Sequence, residues 1–259
     1  MTIHATATTS AEAVSVLQSQ GYCMLRGAIE CKWIDSLKVA LSQELDQEPQ
    51  NVVARSRRGF PVAARNLIDL LPEVRAVWRN ERLLSFLQST LGRQFGLVRV
   101  LYFDKPPDRS WGLAWHKDRA IAVKENWRPS LFFSRPTIKA GIPHVIAEDS
   151  ILLQMVTLRI HLDEVDDENG PLELVPQSHV SSEAAGVGIE KAIRVHANAG
   201  DVLAMRPLIT HGSGASRPGT CRHRRILHLE FSGAPSLPDG YQWRDFIAAS
   251  AGIRGDLLG

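Results

Sequence analysis

Hydrophobic and polar residues alternate along several segments in the second half of the chain. In residues 155–165, Val156 and Leu158 fall on one face, and Arg159 and His161 fall on the other. Such alternation is typical of a β-strand whose two faces meet different surroundings. Further strands, separated by turns rich in Gly, Asn and Pro, are predicted at residues 97–103, 112–123, 172–175, 193–196, 202–206 and 224–231. Many short strands punctuated in this way indicate an antiparallel barrel or jelly roll.

The first third of the chain shows helical spacing instead. Apolar residues three and four positions apart predict helices at residues 10–19, 30–44 and 65–91, and a short edge strand is expected at residues 22–29. We therefore expect a mainly β fold with helical additions, in which residues 1–95 are mostly helical support and residues 96–232 form the core. Residues 119–150, rich in Pro, Gly and aromatic residues, are expected to hold a long loop or lid, and residues 233–259 a C-terminal tail. The whole chain, residues 1–259, is expected to be one domain.

Composition narrows the class of protein. The 259 residues are 44% hydrophobic and 22% charged, which excludes a disordered, collagen-like or coiled-coil chain. The 30 Lys and Arg nearly balance the 28 Asp and Glu, so nothing indicates a nucleic-acid partner. No apolar stretch approaches the about 18 residues of a membrane helix, and the N-terminus lacks the features of a secretory signal. The odd cysteine count argues against a disulfide framework. We expect a cytoplasmic protein that is a monomer or a weak homodimer.

Three residues form a candidate metal site. His116 and Asp118 are two positions apart in a predicted strand, so their side chains project from the same face. His211 follows the predicted strand at residues 202–206 and is the best candidate for a third ligand. Two histidines and one carboxylate on one face form the facial triad of non-heme Fe(II) oxygenases, which leaves coordination positions open.

A run of arginines follows His211. It comprises Arg217, Arg222, Arg224 and Arg225 and leads into a predicted strand. The co-substrate 2-oxoglutarate binds iron at one end and presents a free carboxylate at the other. Arginine is the side chain best suited to bind that carboxylate inside a barrel. Alternation places Arg222, Arg224 and His228 on one strand face, so either arginine is a candidate.

Four segments resemble one known family. They are DKPPD at 104–108, WHKD at 115–118, NGPLELVPQSH at 169–179, and GDVLAMRPLITHGSG at 200–214 with RRILHLEF at 224–231. In this order they resemble the phytanoyl-CoA dioxygenase family of Fe(II)/2-oxoglutarate-dependent oxygenases. The resemblance implies a double-stranded β-helix, a jelly roll of the cupin type, with N-terminal helices packed against it.

The resemblance also implies roles for individual residues. His116, Asp118 and His211 correspond to the iron ligands. The spacing in the family favours Arg222 as the 2-oxoglutarate arginine, but the strand pattern that follows fits Arg224 better, so Arg224 is expected, with Arg222 in reserve. Three further residues are expected near that co-substrate, namely Ser213, Lys105 and Arg159.

The implied activity is hydroxylation or desaturation of an unactivated C–H bond in a small molecule, with consumption of dioxygen and release of succinate and CO₂. Retention of Asp118 argues against halogenation, because a halide needs a vacated carboxylate position. Four residues are expected to contact substrate: Trp115, Trp127, Arg128 and His144. Two other functions remain open: a cupin-like metal-dependent hydrolase or isomerase, and a non-catalytic jelly-roll module that binds 2-oxoglutarate.

Overall fold

The computed structural model describes residues 9–49, 52–181 and 186–250, in which strands predominate. The helices are α1 (Ser10–Gln20), α2 (Cys31–Gln47), α3 (Leu67–Leu70), α4 (Glu81–Leu91) and α5 (Asp149–Leu152). The strands are β1 (Tyr22–Leu25), β2 (Val53–Arg55), β3 (Pro61–Ala64), β4 (Gly96–Phe103), β5 (Leu113–His116), β6 (Ala120–Ala122), β7 (Phe133–Lys139), β8 (Ile142–Ala147), β9 (Met155–His161), β10 (Leu172–Leu174), β11 (Ile193–Val195), β12 (Val202–Met205), β13 (His211–Ser213), β14 (Ile226–Ser232) and β15 (Ile247–Ala248).

Two antiparallel sheets form the core. The larger sheet has the order β1-β12-β9-β14-β4-β3-β2, with β15 beside β4, and the smaller has the order β11-β10-β13-β5. Strands distant in sequence are neighbours, as where β14 lies between β4 and β9. Side chains of both sheets line one cavity. This arrangement confirms the predicted mainly β jelly-roll core.

Alternation in the central strands separates an apolar face from a functional face. Val156, Leu158 and Ile160 of β9 lie in the main hydrophobic core, whereas Arg159 lines the cavity. The same pattern on β14 places Leu227, Leu229 and Phe231 in the core and His228 and Glu230 at the cavity. Both faces of these strands are buried, so the polar face is enclosed within the protein rather than exposed to solvent.

Helices from the first third of the chain cover the apolar face. Helix α1 begins after Thr9, whose hydroxyl accepts a hydrogen bond from the N–H of Glu12, and it ends at Gly21 with φ 83°. Trp78, in the segment before α4, contacts Phe95 and Phe231 edge-on at 5.9 and 5.1 Å between ring centroids. These aromatic contacts join the helical layer to β14.

The first third also contributes strands that the sequence pattern did not predict. The expected edge strand is β1, which pairs only with β12 within the part of the chain that is described. The pair β2 and β3 extends the far side of the larger sheet. Three or four residues are too few to show a clear alternation, so this hairpin was missed. The helix expected over residues 65–91 is interrupted: α3, a 3₁₀ turn at Pro72–Arg75 and α4 replace it, because proline cannot continue a helix.

Residues 119–150 form a third sheet rather than a long loop. Strands β6, β8 and β7 pair in that order, and one face carries Phe133, Val145 and Ala147 into a separate hydrophobic cluster. The predicted C-terminal tail packs on the same cluster through Tyr241 and Trp243. The long loop expected in residues 119–150 is therefore replaced by strands, and the tail up to residue 250 is packed against them. Residues 251–259 of the tail lie outside the described residues.

In the described ranges no helix is long and apolar enough to cross a membrane. Residues 1–8, on which the expectation about a signal sequence depends, are not among those described.

The carbonyl oxygen of Gly200 accepts a hydrogen bond from the N–H of Ile29, which holds the N-terminal segment against the larger sheet. Substitution of Gly200 tests the importance of this close approach. A Cβ at Gly200 would overlap the carbonyl oxygen of Ile29, and φ is +89°. Gly59 has the same backbone conformation, φ +88°, with open space around it. We expect Gly59→Ala to lower the free energy of unfolding by about 1–2 kcal/mol and Gly200→Ala by more than about 3 kcal/mol. Urea denaturation measures both; equal losses would show that the contact with Ile29 is unimportant.

Candidate active site

Two imidazoles and one carboxylate converge where β5 and β13 pair. The register places His211 directly opposite His116, with 4.2 Å between the ring centroids. The Nε2 atoms of His116 and His211 lie 3.6 and 3.5 Å from the two carboxylate oxygens of Asp118. One ligand atom from each of the three residues lies within 4.8 Å of the others. The structure therefore brings together the three residues that the sequence predicts as metal ligands.

A loop, rather than strand alternation, positions Asp118. The strand expected over residues 112–123 is divided into β5 and β6, and Asp118 lies between them. Its backbone N–H donates a hydrogen bond to the carbonyl oxygen of Pro207 at 2.9 Å. Because Pro207 lies in the turn that precedes β13, this bond joins the loop to the strand that carries His211.

Hydrogen bonds fix both imidazoles with Nε2 toward the carboxylate. Nδ1 of His116 donates to the carbonyl oxygen of Ala114 at 2.8 Å, and Nδ1 of His211 donates to that of Ile209 at 2.9 Å. In the neutral form of each ring, Nε2 therefore carries a lone pair, and both lone pairs are directed toward the space beside the Asp118 carboxylate. Metal-binding histidines are usually oriented by this kind of bond at the second nitrogen.

The electrostatics of the three residues fit a cation. Burial lowers the pKa of His211 to about 4, so the imidazole is neutral and able to coordinate. Burial alone would raise the pKa of Asp118, but His211, His116 and His228 hold that pKa well below its ordinary value. Its Oδ2 atom is buried and has no hydrogen-bond partner. The same carboxylate raises the pKa of His116 against the effect of burial, so a positive charge is favoured at this point. A buried carboxylate oxygen without a donor, beside two imidazoles, suits a divalent metal.

One end of the cavity collects three buried cations. Arg224 and Arg159 line the cavity, and Lys105 is fully buried beside them. The Nε atoms of both arginines are buried and lack a hydrogen-bond partner. Burial, followed by repulsion from Arg159, lowers the pKa of Arg224 to about 9, which still leaves it charged at neutral pH. Buried guanidinium groups that lack a carboxylate partner indicate a site for an anion.

Lys105 and Ser213 lie together at this end. Lys105 Nζ donates to Ser213 Oγ at 3.0 Å and to the carbonyl oxygen of Gly214. Burial, followed by repulsion from Arg224 and Arg159, lowers the pKa of Lys105 to about 7. An anion placed here would favour the charged form of the lysine.

Arg222 does not reach the cavity. Its Nη1 donates to Asp166 Oδ2 at 2.7 Å, and Nη2 to Glu164 Oε2 at 3.3 Å, in a partly exposed loop. The reserve assignment of Arg222 is therefore wrong, and Arg224 alone of the two lies in the cavity. Strand β14 begins only at Ile226, so alternation cannot be extended back to Arg222.

The four residues expected to contact substrate do not line the cavity. Trp115 packs against Gly212, and Trp127 is 70% exposed with Arg128 stacked on its ring. His144 is buried on β8, where burial lowers its pKa to about 4. Trp115 lies on β5 and His144 on the third sheet, whereas Trp127 and Arg128 lie in the loop between β6 and β7, away from the cavity.

The cavity has a volume of about 230 Å³ and a largely apolar wall. Its apolar lining residues are Ala63, Leu101, Phe103, Trp111, Leu113 and Leu172. At the end opposite Arg224, Arg99 makes a two-point ion pair with Glu230, with 2.9 Å between Arg99 Nε and Glu230 Oε2. Neither Arg99 nor Glu230 was a candidate from the sequence. The available signal was that each is a solitary charge in an otherwise apolar strand.

His228 connects the ion pair to the candidate metal site. Its Nδ1 accepts a hydrogen bond from Arg159 at 3.3 Å, so Nε2 carries the proton. That nitrogen lies 3.3 Å from Glu230 and 4.0 Å from Asp118. His228 thus bridges the carboxylates of Glu230 and Asp118 across the inner face of the larger sheet.

A jelly roll that holds two histidines and a carboxylate beside a cationic pocket defines the class of non-heme metal oxygenase folds. The chain belongs to the phytanoyl-CoA dioxygenase family: the model of that family, Phytanoyl-CoA dioxygenase (PhyH), matches residues 17–224, well over half of the chain. A search of curated proteins finds no match.

Solved structures share the fold. One of them is the epimerase SnoN in complex with Fe³⁺, alpha ketoglutarate and nogalamycin RO. It has a TM-score of 0.63 and 18% identity, and the match covers 89% of this chain and 91% of SnoN. AviO1 from Streptomyces viridochromogenes Tue57 has a TM-score of 0.64 and 22% identity, covering 90% and 98%. EctD from S. alaskensis with 2-oxoglutarate and 5-hydroxyectoine has a TM-score of 0.63 and 16% identity, covering 86% and 75%.

Substitution of Asp118 tests the metal site directly. We expect Asp118→Ala to weaken Fe(II) binding by well over about tenfold, because the only carboxylate of the predicted ligand set is removed. Equilibrium dialysis with metal analysis measures binding, and circular dichroism verifies folding. Asp166→Ala is the matched control, since that carboxylate lies on an exposed loop. Unchanged iron content in Asp118→Ala would contradict the assignment.

Proposed function

We propose that this protein is an Fe(II)- and 2-oxoglutarate-dependent dioxygenase that hydroxylates or desaturates an unactivated C–H bond of a small molecule, with the chain acting as a single domain. The observation that carries the proposal is the position of His116, Asp118 and His211 beside a cavity end where the buried guanidinium groups of Arg224 and Arg159 have no carboxylate partner among the described residues. Membership in the phytanoyl-CoA dioxygenase family supports it.

In this proposal the three ligands hold Fe(II) through Nε2 of His116, Nε2 of His211 and the Asp118 carboxylate. When bound, Fe(II) and 2-oxoglutarate supply, with dioxygen, the oxidising power for C–H cleavage, and succinate and CO₂ are released. Arg224 binds the free carboxylate of 2-oxoglutarate, and Lys105 and Ser213 contribute charge and a hydrogen bond beside it.

The remaining cavity residues shape the reaction space. Leu101, Phe103 and Trp111 form an apolar wall that excludes water from the reacting carbon. His228, held by Arg159, orients the site around Asp118 through its contacts on either side. Co-substrate and substrate would then occupy opposite ends of the cavity, with the metal ligands between them.

A metal-dependent hydrolase is less consistent with these contacts. Such an enzyme needs a general base beside the metal. Glu230 is the nearest carboxylate outside the ligand set, and Arg99 occupies both of its oxygens. A hydrolase would also have no use for three buried cations at the other end of the cavity.

Anaerobic titration tests the cofactor pair. We expect Fe(II) followed by 2-oxoglutarate to produce a weak visible charge-transfer band that neither produces alone. Appearance of the band with the wild-type protein, and its absence with Asp118→Ala, would support the proposal. Tight Zn(II) binding without any band would favour the hydrolase instead.

Two arginines two positions apart give a matched pair for the co-substrate. We expect Arg224→Gln to raise the KM for 2-oxoglutarate more than about 100-fold, because a buried charged contact worth about 3 kcal/mol or more is lost. Arg222→Gln removes only partly exposed ion pairs and should change this KM less than about threefold. Succinate release measures both. The reverse order of effects would overturn the assignment of Arg224.

A further inference from the structure

A second cationic region adjoins the cavity at the end opposite Arg224, where Arg99 forms part of the wall. Arg224, just before β14, and His228 and Glu230 on its inner face follow one another along the cavity, with His228 close to Asp118. Strand β4 places Arg99 directly opposite Glu230. Glu230 therefore neutralises Arg99, and any further cation at this end is in excess.

Arg65 is the first such cation. Strand β3 pairs Ala63 with Phe103 and Ala64 with Tyr102, so the next residue, Arg65, falls beside Leu101. Ala63 and Leu101 both line the cavity, and alternation puts Arg65 on their side. That position is diagonal to Arg99 on the neighbouring strand, a separation that long side chains bridge.

Lys139 is the second, and it comes from the third sheet. It lies at the end of β7, and the turn that follows is held against β3: Asn66 Nδ2 donates to the carbonyl oxygen of Ala140 at 3.4 Å. Lys139 pairs across the hairpin with Ile142, on the sheet face that also carries His144. The opposite face packs into the hydrophobic cluster, so this face is turned toward Arg65 and Arg99.

Neither cation has a counter-ion. Arg65 and Lys139 are partly buried, and within the described ranges neither side chain makes a hydrogen bond or an ion pair. Burial, followed by repulsion from Arg99, lowers the pKa of Arg65, and burial followed by Arg65 and Arg99 lowers that of Lys139. Glu230 is already paired with Arg99, and Asp118 is a predicted metal ligand. The neutral His144 adds no charge. Two positive charges therefore remain uncompensated.

We propose that Arg65 and Lys139, with Arg99 behind them, bind an oxyanion of the substrate, a carboxylate or a phosphate. The proposal rests on the proposed function and deepens it: the substrate is an anionic small molecule that enters from the side opposite 2-oxoglutarate. Glu230 lies beside the proposed oxyanion site, and His228 lies beside the metal ligands. The two residues are two positions apart on β14, a distance of about 7 Å. A short spacer of the substrate would therefore separate its anionic group from the reacting carbon.

Binding of simple oxyanions tests the site without knowledge of the substrate. The full-length protein is loaded with redox-inert Mn(II) and saturated with 2-oxoglutarate. The paramagnetic relaxation of ³¹P in inorganic phosphate and of ¹³C in carboxyl-labelled acetate is then measured. Nuclei bound near Mn(II) relax faster. We expect one or both probes to show an enhancement, and the responding probe identifies the group as phosphate or carboxylate.

The double variant Arg65→Gln/Lys139→Gln should weaken probe binding by about tenfold or more, since two charge-assisted contacts are lost. Arg93→Gln/Lys191→Gln removes the same charge from exposed positions and should leave binding unchanged. Equal enhancement in the wild type and the first double variant would overturn the proposal. So would an enhancement that 2-oxoglutarate abolishes, because the oxyanion would then occupy the Arg224 end, or no enhancement with Mn(II) bound.

The same experiment separates this proposal from the proposed function. Binding of Mn(II) and of 2-oxoglutarate is measured first by titration, and the oxyanion probes are also examined with Mn(II) alone. If 2-oxoglutarate does not bind, the proposed function fails, whereas the oxyanion site is still tested.

A substrate screen gives a second readout. Small carboxylic acids and phosphomonoesters are compared with their neutral amides or methyl esters by succinate release. We expect turnover only with the anionic member of a pair. In Arg65→Gln/Lys139→Gln the KM for that substrate should rise at least about tenfold, while the KM for 2-oxoglutarate stays unchanged. Preference for neutral compounds would contradict the inference.

Discussion

The pairing of β5 with β13 is the constraint on which the site depends. It places His211 opposite His116 across two short strands of the smaller sheet. A shift of one residue would turn one of the two imidazoles to the other face. The bond from Asp118 to Pro207 adds the carboxylate to the same point. Residues from two distant parts of the chain, His116 with Asp118 and His211, therefore meet only because this register is fixed.

The larger sheet supplies the second requirement, an enclosed polar face. Burying Arg159, Arg224 and Lys105 without carboxylate partners costs free energy, because charged groups lose hydration. The apolar face of the same strands offsets this cost: Leu227, Leu229 and neighbouring core residues pack under the N-terminal helices. The helical layer contributes no ligand, yet it stabilises the strands that carry the cationic groups.

Charge is distributed along the cavity in a way that separates two ligands. Cations at the Arg224 end have buried atoms without partners, while those near Arg99 are partly exposed. The His228 bridge and the metal ligands lie between the two ends. Such an arrangement suits an enzyme that binds two different anions, one on each side of a single reactive centre. Substitution of Arg65 or Lys139 would then change which substrate binds without disturbing the binding of the co-substrate.

Local pattern in the sequence determined most strands of the core, because alternation reports which residues share a face. Short motifs indicated the three candidate metal ligands, although Asp118 reaches the other two from a loop and not by alternation. Local pattern failed for β2 and β3, which are too short to show a period, and for residues 119–150, where turn-forming residues concealed a sheet. Only the tertiary structure placed Arg222 outside the cavity and brought Arg65 and Lys139 near Arg99 at one end of it. Arg99 lies on β4, Lys139 on β7 and Arg65 directly after β3. The distances between these elements depend on pairing across the whole fold, which no local pattern records.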